Sequence, residues 1–337
     1  MKASILAIDY HLPLAVLTNG DLAGEFPEWN EQAIFAKTGI TERHIAATDE
    51  YASDLAFAAA TKLFSHPGLD KTWVEALVVC TQSPDYLLPS TACLLQDRLG
   101  LSRTVAAFDF TLGCSGFVYG LSLVKGMIES GQIKNAVLVT ADTYSKYLGP
   151  ADRSVRTLFG DGAAACWITA VEQEKESIGP FVFGTDGSGA SHLMLRQSAS
   201  RGFSQTDTAP SPPCYLTMNG PEIFRFTLDA VPASVQALCV KAGTRIDEVD
   251  LFVFHQANVY MLEHLRQKIN IPTEKFYVHM QHCGNTVSST IPIALKEAVD
   301  EGRLKPGMNV MLVGFGVGLS WAATFVRWGD FKSPSLP

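Results

Sequence analysis

Three side chains in this 337-residue sequence stand where thioester chemistry would need them. The first is Cys114, in VAAFDFTLGCSGFVY (105–119), between an apolar strand-like run and a helical pattern continuing to about Ser130. A nucleophile there sits on a tight strand-to-helix turn, and Gly113 and Gly116 let other backbone come close. The unpaired N–H groups that open a helix carry partial positive charge, which favours thiolate over thiol. The competing reading is a small buried core thiol. His255 ends the apolar run LFVF and precedes a helical pattern over 256–268. It therefore falls at the carboxyl edge of a sheet, where α/β proteins bind ligands, although a lone histidine there serves equally well as a structural hydrogen-bonder. Asn285, in HCGNTVSSTIP, lies between a β-rich run over 276–279 and a helix whose apolar positions begin near Ile291. By itself it reads as a turn or N-cap residue. Together, a nucleophile, a proton-shuttling imidazole and a neutral amide donor are the parts that acyl-thioester chemistry requires.

The run GFGVG (314–318) looks at first like a dinucleotide fingerprint, but it lacks the third glycine and leads into strand-like SWAATFVRW rather than a helix. Its glycines instead allow a turn to approach a bound carbonyl and offer it an N–H. To hold such residues the chain alternates short β-rich runs with longer helical patterns, as in 76–81 followed by 90–99, which is an α/β arrangement. The runs at 136–140, 251–254 and 310–313 show no in/out alternation, as expected of central strands covered on both faces. EALVVCTQ (75–82) matches EVDLFVFHQ (248–256), and AVLVTADT leading to FGDGAAACWIT matches NVMLVG leading to FGVGLSWAATFVRW. This repetition predicts two similar α/β halves, 1–172 carrying the cysteine and 173–337 carrying the histidine and asparagine. The stretch 185–221 is dense in Gly, Ser, Thr and Pro and reads as a long surface excursion.

With 47% apolar and 18% charged residues, the chain can bury a large core. Its 26 Lys and Arg against 34 Asp and Glu give a formal charge of −8 without a basic stripe, which argues against nucleic acid as a partner. The opening MKASILAIDYHLP is broken by Asp9 and Pro13, unlike a signal peptide, and no window reads as the ~18 apolar residues of a membrane span. Seven widely spaced cysteines without a CxxC pair disfavour both structural zinc and a disulfide framework, and a reducing cytoplasm is expected.

Read as a set, TNGDL (18–22), KTGITER (37–43), LPSTACLLQDRLG (88–100), FDFTLGCSGFVYGL (108–121), ADRSVRTLFGDGAAA (151–165), HQAN (255–258), GNTVSSTIP (284–292) and GFGVGLSW (314–321) resemble the β-ketoacyl-acyl-carrier-protein synthase III family of thiolase-fold condensing enzymes. The resemblance covers nearly the whole chain and implies a layered α-β-α-β-α core. It also implies that Cys114 carries the acyl group, that the N–H groups of Cys114 and Val317 receive its oxyanion, and that His255 and Asn285 hydrogen-bond a malonyl thioester during decarboxylation. Acyl-coenzyme A and malonyl-acyl carrier protein would be the substrates, with no metal or redox cofactor. The family's usual Gly is Val317 here, a change that keeps the backbone N–H. A Trp that stacks on adenine in coenzyme A-primed relatives aligns with Ala33, and Trp29 lies nine residues before Thr38. The arginine side of that clamp resembles Arg153. Lys37 and Asn258 sit in matching motifs as candidate substrate contacts. A carrier-docking Arg is replaced by Tyr260, leaving Arg225, Arg266 and Lys268 as candidate basic contacts. Leu88 stands where acetyl-selective relatives have Phe, a residue that reaches into the partner subunit's acyl pocket, so a homodimer tolerant of primers longer than acetyl is expected. Two alternatives remain: a specialised-metabolism relative with another acceptor or an acyl-carrier donor, and a catalytically idle partner subunit.

Overall fold

The apolar runs without alternation form the inner strands of two five-stranded sheets in the computed structural model, which describes residues 1–26, 28–202 and 215–329. The first part of the chain supplies β1 (Lys2–His11), the antiparallel pair β2 (Ala15–Thr18) and β3 (Glu42–Ile45), β4 (Ala76–Cys80), β5 (Ala106–Phe110), β6 (Asn135–Asp142) and β7 (Gly162–Val171). Its large sheet has the order β1-β7-β6-β4-β5, with β4 parallel to both neighbours and β7 antiparallel to both of its own. The chain then supplies β8 (Ile178–Thr185), β9 (Leu193–Leu195), β10 (Leu216–Met218), β11 (Leu251–Phe254), β12 (Phe276–Tyr277), β13 (Asn309–Gly316) and β14 (Ser320–Arg327). The second large sheet runs β12-β11-β13-β14-β8, with the same sequence of parallel and antiparallel pairings. Strands β4 and β11 are thus equivalent, as are β6 and β13, and β7 and β14, which is the pairing the internal repeat indicated.

The helices are α1 (Asn19–Glu25), α2 (Glu31–Thr38), α3 (Ala52–Phe64), α4 (Thr91–Arg98), α5 (Gly116–Glu129), the single turn α6 (Arg153–Arg156), α7 (Gly220–Ala242), α8 (Val259–Ile269) and α9 (Thr290–Asp300). Helices α3 and α4 cover the outer face of the first sheet, α7 and α8 cover that of the second, and α5 and α9 lie between the sheets. This is the layered α-β-α-β-α thiolase-like fold. In the middle layer Phe117, Leu121 and Val124 of α5 and Ile291 and Leu295 of α9 share one core with Val78 and Leu138 of the first sheet and Val253 and Leu312 of the second. Each such side chain contributes about 1.5–3 kcal/mol on burial, so the inner helices glue the halves together.

Two expectations need correction. Helix α7 is long and apolar enough, by length and composition, to cross a membrane. Its apolar character has a local cause: the stripe Ile223, Thr227, Val231, Ser234, Val235 and Leu238 is buried where the helix packs on β8, β13, β14 and α8. The stretch 185–221 is also more built than a surface loop. Strands β9 and β10 pair, and Leu193 and Leu216 are buried in the same apolar cluster as Cys114. Residues 203–214 of that stretch lie outside the described residues.

Candidate active site

Cys114 occupies the turn between β5 and α5, where the Gly116 N–H donates to Gly113 O at 2.7 Å. No side chain caps α5, so the positive end of the helix is uncompensated behind the cysteine. The opposite wall is the end of β13. A Cβ on Gly314 would stand 2.8 Å from Ser115 Cα, and one on Gly316 would stand 2.8 Å from Cys114 Cβ and 2.9 Å from its Sγ. These glycines belong to a strand, and the turn expected of GFGVG comes after them, at Val317, Gly318 and Leu319. Glycine serves here to bring strand backbone against the nucleophile. A Ser115–Ser320 hydroxyl contact of 2.8 Å ties the two segments together.

Burial pushes the Cys114 thiol up to about 12, and the charge of Asp142 adds to this. The N–H groups of Val317 and of Cys114 itself, both close to the sulfur, act in the opposite direction. The thiolate expected from the helix position is therefore not the resting form. Desolvation outweighs the helix terminus, and the free group is a thiol.

His255 follows β11, its N–H donating to Val313 O of β13 at 2.8 Å. The Phe315 ring meets the imidazole edge to face, with centroids 5.5 Å apart. Nδ1 lies 2.7 Å from Thr290 Oγ1, and burial lowers the imidazole pKa to about 3, so the ring is neutral. Helix α8 begins three residues later than the sequence pattern suggested, because Asn258 is its N-cap, accepting from the Met261 N–H at 2.8 Å. Asn285 is held by its own N–H to Leu158 O at 2.9 Å and by the Gly160 N–H to its carbonyl at 3.0 Å. Its Oδ1 accepts from the Val287 N–H at 3.0 Å, so the amide's acceptor side is taken up within the turn and its Nδ2 is the side that can donate. Val287 has φ of 55°, an uncommon conformation for a β-branched residue. The turn is fastened below by Ser288, which donates through N–H and Oγ to Asp142, and by Ser289, whose hydroxyl meets that of Thr140 at 2.9 Å. A continuous chain of contacts thus joins Cys114 to Gly316 and its neighbour Phe315, Phe315 to His255, His255 to Thr290, and Thr290 to the Val287 carbonyl beside Asn285.

The other sequence candidates lie on surrounding surfaces. Arg153 opens α6, pairs with Glu28 and places its guanidinium 5.8 Å from the Phe26 ring, whereas Trp29 receives Lys37 at 4.9 Å. Leu88 is 83% exposed and follows exposed Tyr86 and Leu87. Arg225 pairs with Glu222 on α7, Lys268 donates to Leu228 O at 2.8 Å, and Arg266 is bound to Glu263 and to Ile271 O. The Tyr260 ring packs at a tilt against His264 and Phe224, with centroids 4.2 and 5.5 Å away. Asp142 and Thr290 escaped the sequence reading, and only their position beside the strand end and the asparagine turn could have pointed to them. The one group of three ligating side chains close enough to share a cation, among the described residues, is His279, Glu297 and Glu301, and Glu297 already accepts from Tyr10 at 2.7 Å. A depression of about 730 Å³ beside it, lined by Tyr277, Glu301 and Arg303, contains none of Cys114, His255 and Asn285.

Family models for the 3-oxoacyl-[acyl-carrier-protein] synthase III C-terminal domain and for 3-oxoacyl-[acyl-carrier-protein] synthase III match residues 239–328 and 108–187, which contain the histidine, the asparagine and the cysteine. The β-ketoacyl-[acyl-carrier-protein] synthase III of Listeria welshimeri is 37% identical over 329 residues, 98% of this chain and all of that protein. The chain belongs to the β-ketoacyl-acyl-carrier-protein synthase III family. Solved synthase III structures agree: one 2.1 Å crystal structure is 50% identical with a TM-score of 0.94, covering 97% of this chain and all of that one. The Pseudomonas aeruginosa enzyme is 34% identical with a TM-score of 0.89 over the full length of both. A synthase III is an acyltransferase, so the residues around Cys114 are to be understood as parts of a condensing enzyme.

Proposed function

We propose that this synthase III starts acyl chains by decarboxylative condensation of a primer carried on Cys114 with malonyl-acyl carrier protein. The observation that carries the assignment is the nucleophile lying under two N–H groups, those of Val317 and Cys114, with His255 and Asn285 joined to it through β13 and the 285–290 turn. The Cys114 sulfur attacks the carbonyl carbon of acyl-coenzyme A, the two amides stabilise the oxyanion, and the C–S bond to coenzyme A breaks. Coenzyme A leaves as a thiol, taking up the proton equivalent that Cys114 releases, so the step is proton-neutral. The malonyl thioester then binds with its thioester oxygen between His255 Nε2 and Asn285 Nδ2. Loss of CO2 gives an enolate whose charge develops only in the transition state, where the two neutral donors bind it best. The enolate carbon attacks the acyl carbonyl, the same amides receive the second oxyanion, and Cys114 leaves as a thiolate that is reprotonated.

Arg153 with Phe26 offers a stacking platform for the nucleotide of coenzyme A, and Lys37, Arg225 and Lys268 offer cations to phosphopantetheine or to an acidic carrier. Asn258 supports the site as a helix cap. Tyr86, Leu87 and Leu88 form an exposed apolar run suited to burial in a homodimer, in which Leu88 borders the partner's primer pocket. The division at 172/173 follows the passage of the chain from one large sheet to the other. The free thiols suit a reducing cytoplasm. The aromatic group Tyr260, His264 and Phe224, standing where a docking arginine was expected, favours a second reading, in which the acceptor carrier differs from the ordinary acidic one.

The test is intact-protein mass after incubation with acetyl- to dodecanoyl-coenzyme A, with Cys114→Ala as control, followed by malonyl-acyl carrier protein. A one-acyl mass gain that vanishes in the mutant and is discharged by the malonyl thioester supports the assignment. Acylation without discharge redirects the search to other acceptors, and an adduct on Cys114→Ala refutes the nucleophile.

A further inference from the structure

One buried carboxyl joins the neighbourhood of the nucleophile to the turn that carries Asn285. Asp142 ends β6 and is wholly buried. Burying a carboxyl is costly unless its lone pairs are engaged, and here each oxygen has a partner of its own. Oδ1 accepts from the Gln82 N–H at 2.8 Å. Oδ2 accepts from the Ser288 hydroxyl and, at 3.4 Å, from the Ser288 N–H. Gln82 stands against the turn before the nucleophile, since a Cβ on Gly113 would meet Gln82 Oε1 at 2.5 Å and Val317 Cγ1 at 2.8 Å. Ser288 follows the strained residue of the asparagine turn. Asn285 Oδ1 accepts from the Val287 N–H, so the direction of the amide follows the backbone at Val287. Val287 has φ of 55°, and a β-branched residue left to itself returns to negative φ, which rotates the peptide planes beside it. A conformation of that kind lasts only where its surroundings fix it on both sides. Before Val287 the chain is fixed at Asn285, whose N–H goes to Leu158 O and whose carbonyl takes the Gly160 N–H. Immediately after Val287 the fixing group is Asp142, with the Ser289 hydroxyl on Thr140 one residue further along.

We infer that Asp142 is a positioning residue: by accepting from Ser288 it holds Val287 in the left-handed region and so keeps Asn285 Nδ2 aligned for the malonyl thioester. This rests on the assignment of Asn285 as a donor in condensation and goes beyond it by naming what aligns that donor. The consequence is selective. Acylation uses Cys114 and two backbone amides, none of which is bonded to Ser288, whereas decarboxylation and condensation use Asn285. In Asp142→Asn the amide keeps one acceptor, which the shorter Gln82 contact claims, and its NH2 then faces Ser288, whose N–H is left without an acceptor. The same substitution removes a charge that opposes ionisation of Cys114, so it gives no reason for acylation to slow. Ser288→Ala breaks the tie from the other side and leaves Asp142 bonded to Gln82.

Asp142→Asn, Ser288→Ala and the double variant are compared at a pH above the value of about 7 to which burial raises the carboxyl. The two half-reactions are measured separately: acyl transfer to Cys114 by mass, and CO2 release from malonyl-acyl carrier protein on the pre-acylated enzyme. The expected result is acylation within about threefold of wild type in all three, with a condensation kcat about 10-fold lower in each single variant and KM for the malonyl thioester nearly unchanged, as befits a donor displaced by a fraction of an ångström. The double variant should fall no further than the worse single, because both substitutions break one contact. Ser288→Ala keeps the test open where Asp142→Asn fails to fold. Condensation at the wild-type rate in Ser288→Ala, losses that multiply in the double variant, or equal loss of both half-reactions would each overturn the inference. Asn285→Ala condensing as fast as wild type would instead sink the assignment on which it rests.

Discussion

Gly316→Ala probes how closely β13 must press on the nucleophile. The added Cβ would lie 2.8 and 2.9 Å from Cys114 Cβ and Sγ, where ordinary contact begins at 3.4 Å, an overlap of about 0.5–0.6 Å. Gly316 has an ordinary φ, so the backbone itself accepts alanine and the penalty is purely steric. The strand cannot retreat, because β13 is hydrogen-bonded to β11 and to β14. The thiol therefore moves. A misplacement of ~1 Å costs about 10²-fold in a positioned reaction, so roughly half that displacement predicts acylation slower by about 10-fold. Overpacking should also lower stability by about 1–3 kcal/mol. The matched control is Gly126→Ala in α5, where a Cβ meets nothing within 4 Å and alanine should add about 0.5–1 kcal/mol. A time course of acyl-enzyme mass, with thermal melts of both variants, reads the outcome. Gly316→Ala acylating within twofold of wild type would refute the reasoning.

Other outcomes follow from the same geometry. Because burial holds His255 near 3, the imidazole is already neutral at pH 5, and the condensation rate should have no inflection from this group between pH 5 and 8. An inflection near 6.5 that disappears in His255→Gln would contradict this. The histidine's contribution to stability is lost as pH falls from about 6.5 toward 3, since the unfolded chain takes up the proton first. Asp142 behaves oppositely. Burial pushes it up to about 7, so the folded state retains a proton that the unfolded state releases near 3.8, and stability falls as pH rises across that window. Asp142→Asn should flatten this slope in denaturant midpoints measured from pH 5 to 8, and an unchanged slope would exclude Asp142 as its source. Leu88→Phe should shift acylation toward acetyl-coenzyme A over longer primers by about 10-fold or more, read as a ratio of kcat/KM values. An unaltered ratio would detach Leu88 from the primer pocket.

Cys114, His255 and Asn285 were legible as candidates because each sits at the end of a recognisable strand or turn, with glycines or small polar residues beside it. The equivalence of β4 and β11 could likewise be read from matching acidic leads and apolar runs. Thr290 and Asp142 were not legible. Their importance arises from pairing with residues 35 and 146 positions away, and locally they are one more Ser/Thr in a turn and the end of a strand. Gly314 and Gly316 suggest a turn by composition, but their reason for being glycine is the approach of Ser115 and Cys114 from the other half of the chain. Burial also reversed the helix-terminus argument for a resting thiolate, since desolvation depends on tertiary packing that no local pattern carries. The apolar window in α7 misleads for the same reason: its stripe faces a sheet built from distant segments.

The strand that walls Cys114 comes from the opposite half of the molecule, and so do His255 and Asn285. Neither half alone holds the proposed set. Each sheet has its own outer helices, but the proposed catalytic constellation exists only after α5 and α9 have come together and β13 has closed on residues 114 and 115. Loop-closure entropy makes contacts of such long sequence separation late events in folding. The proposed acyl transfer to Cys114 would therefore be a gauge of complete assembly, and during refolding it should recover after the helical signal has returned.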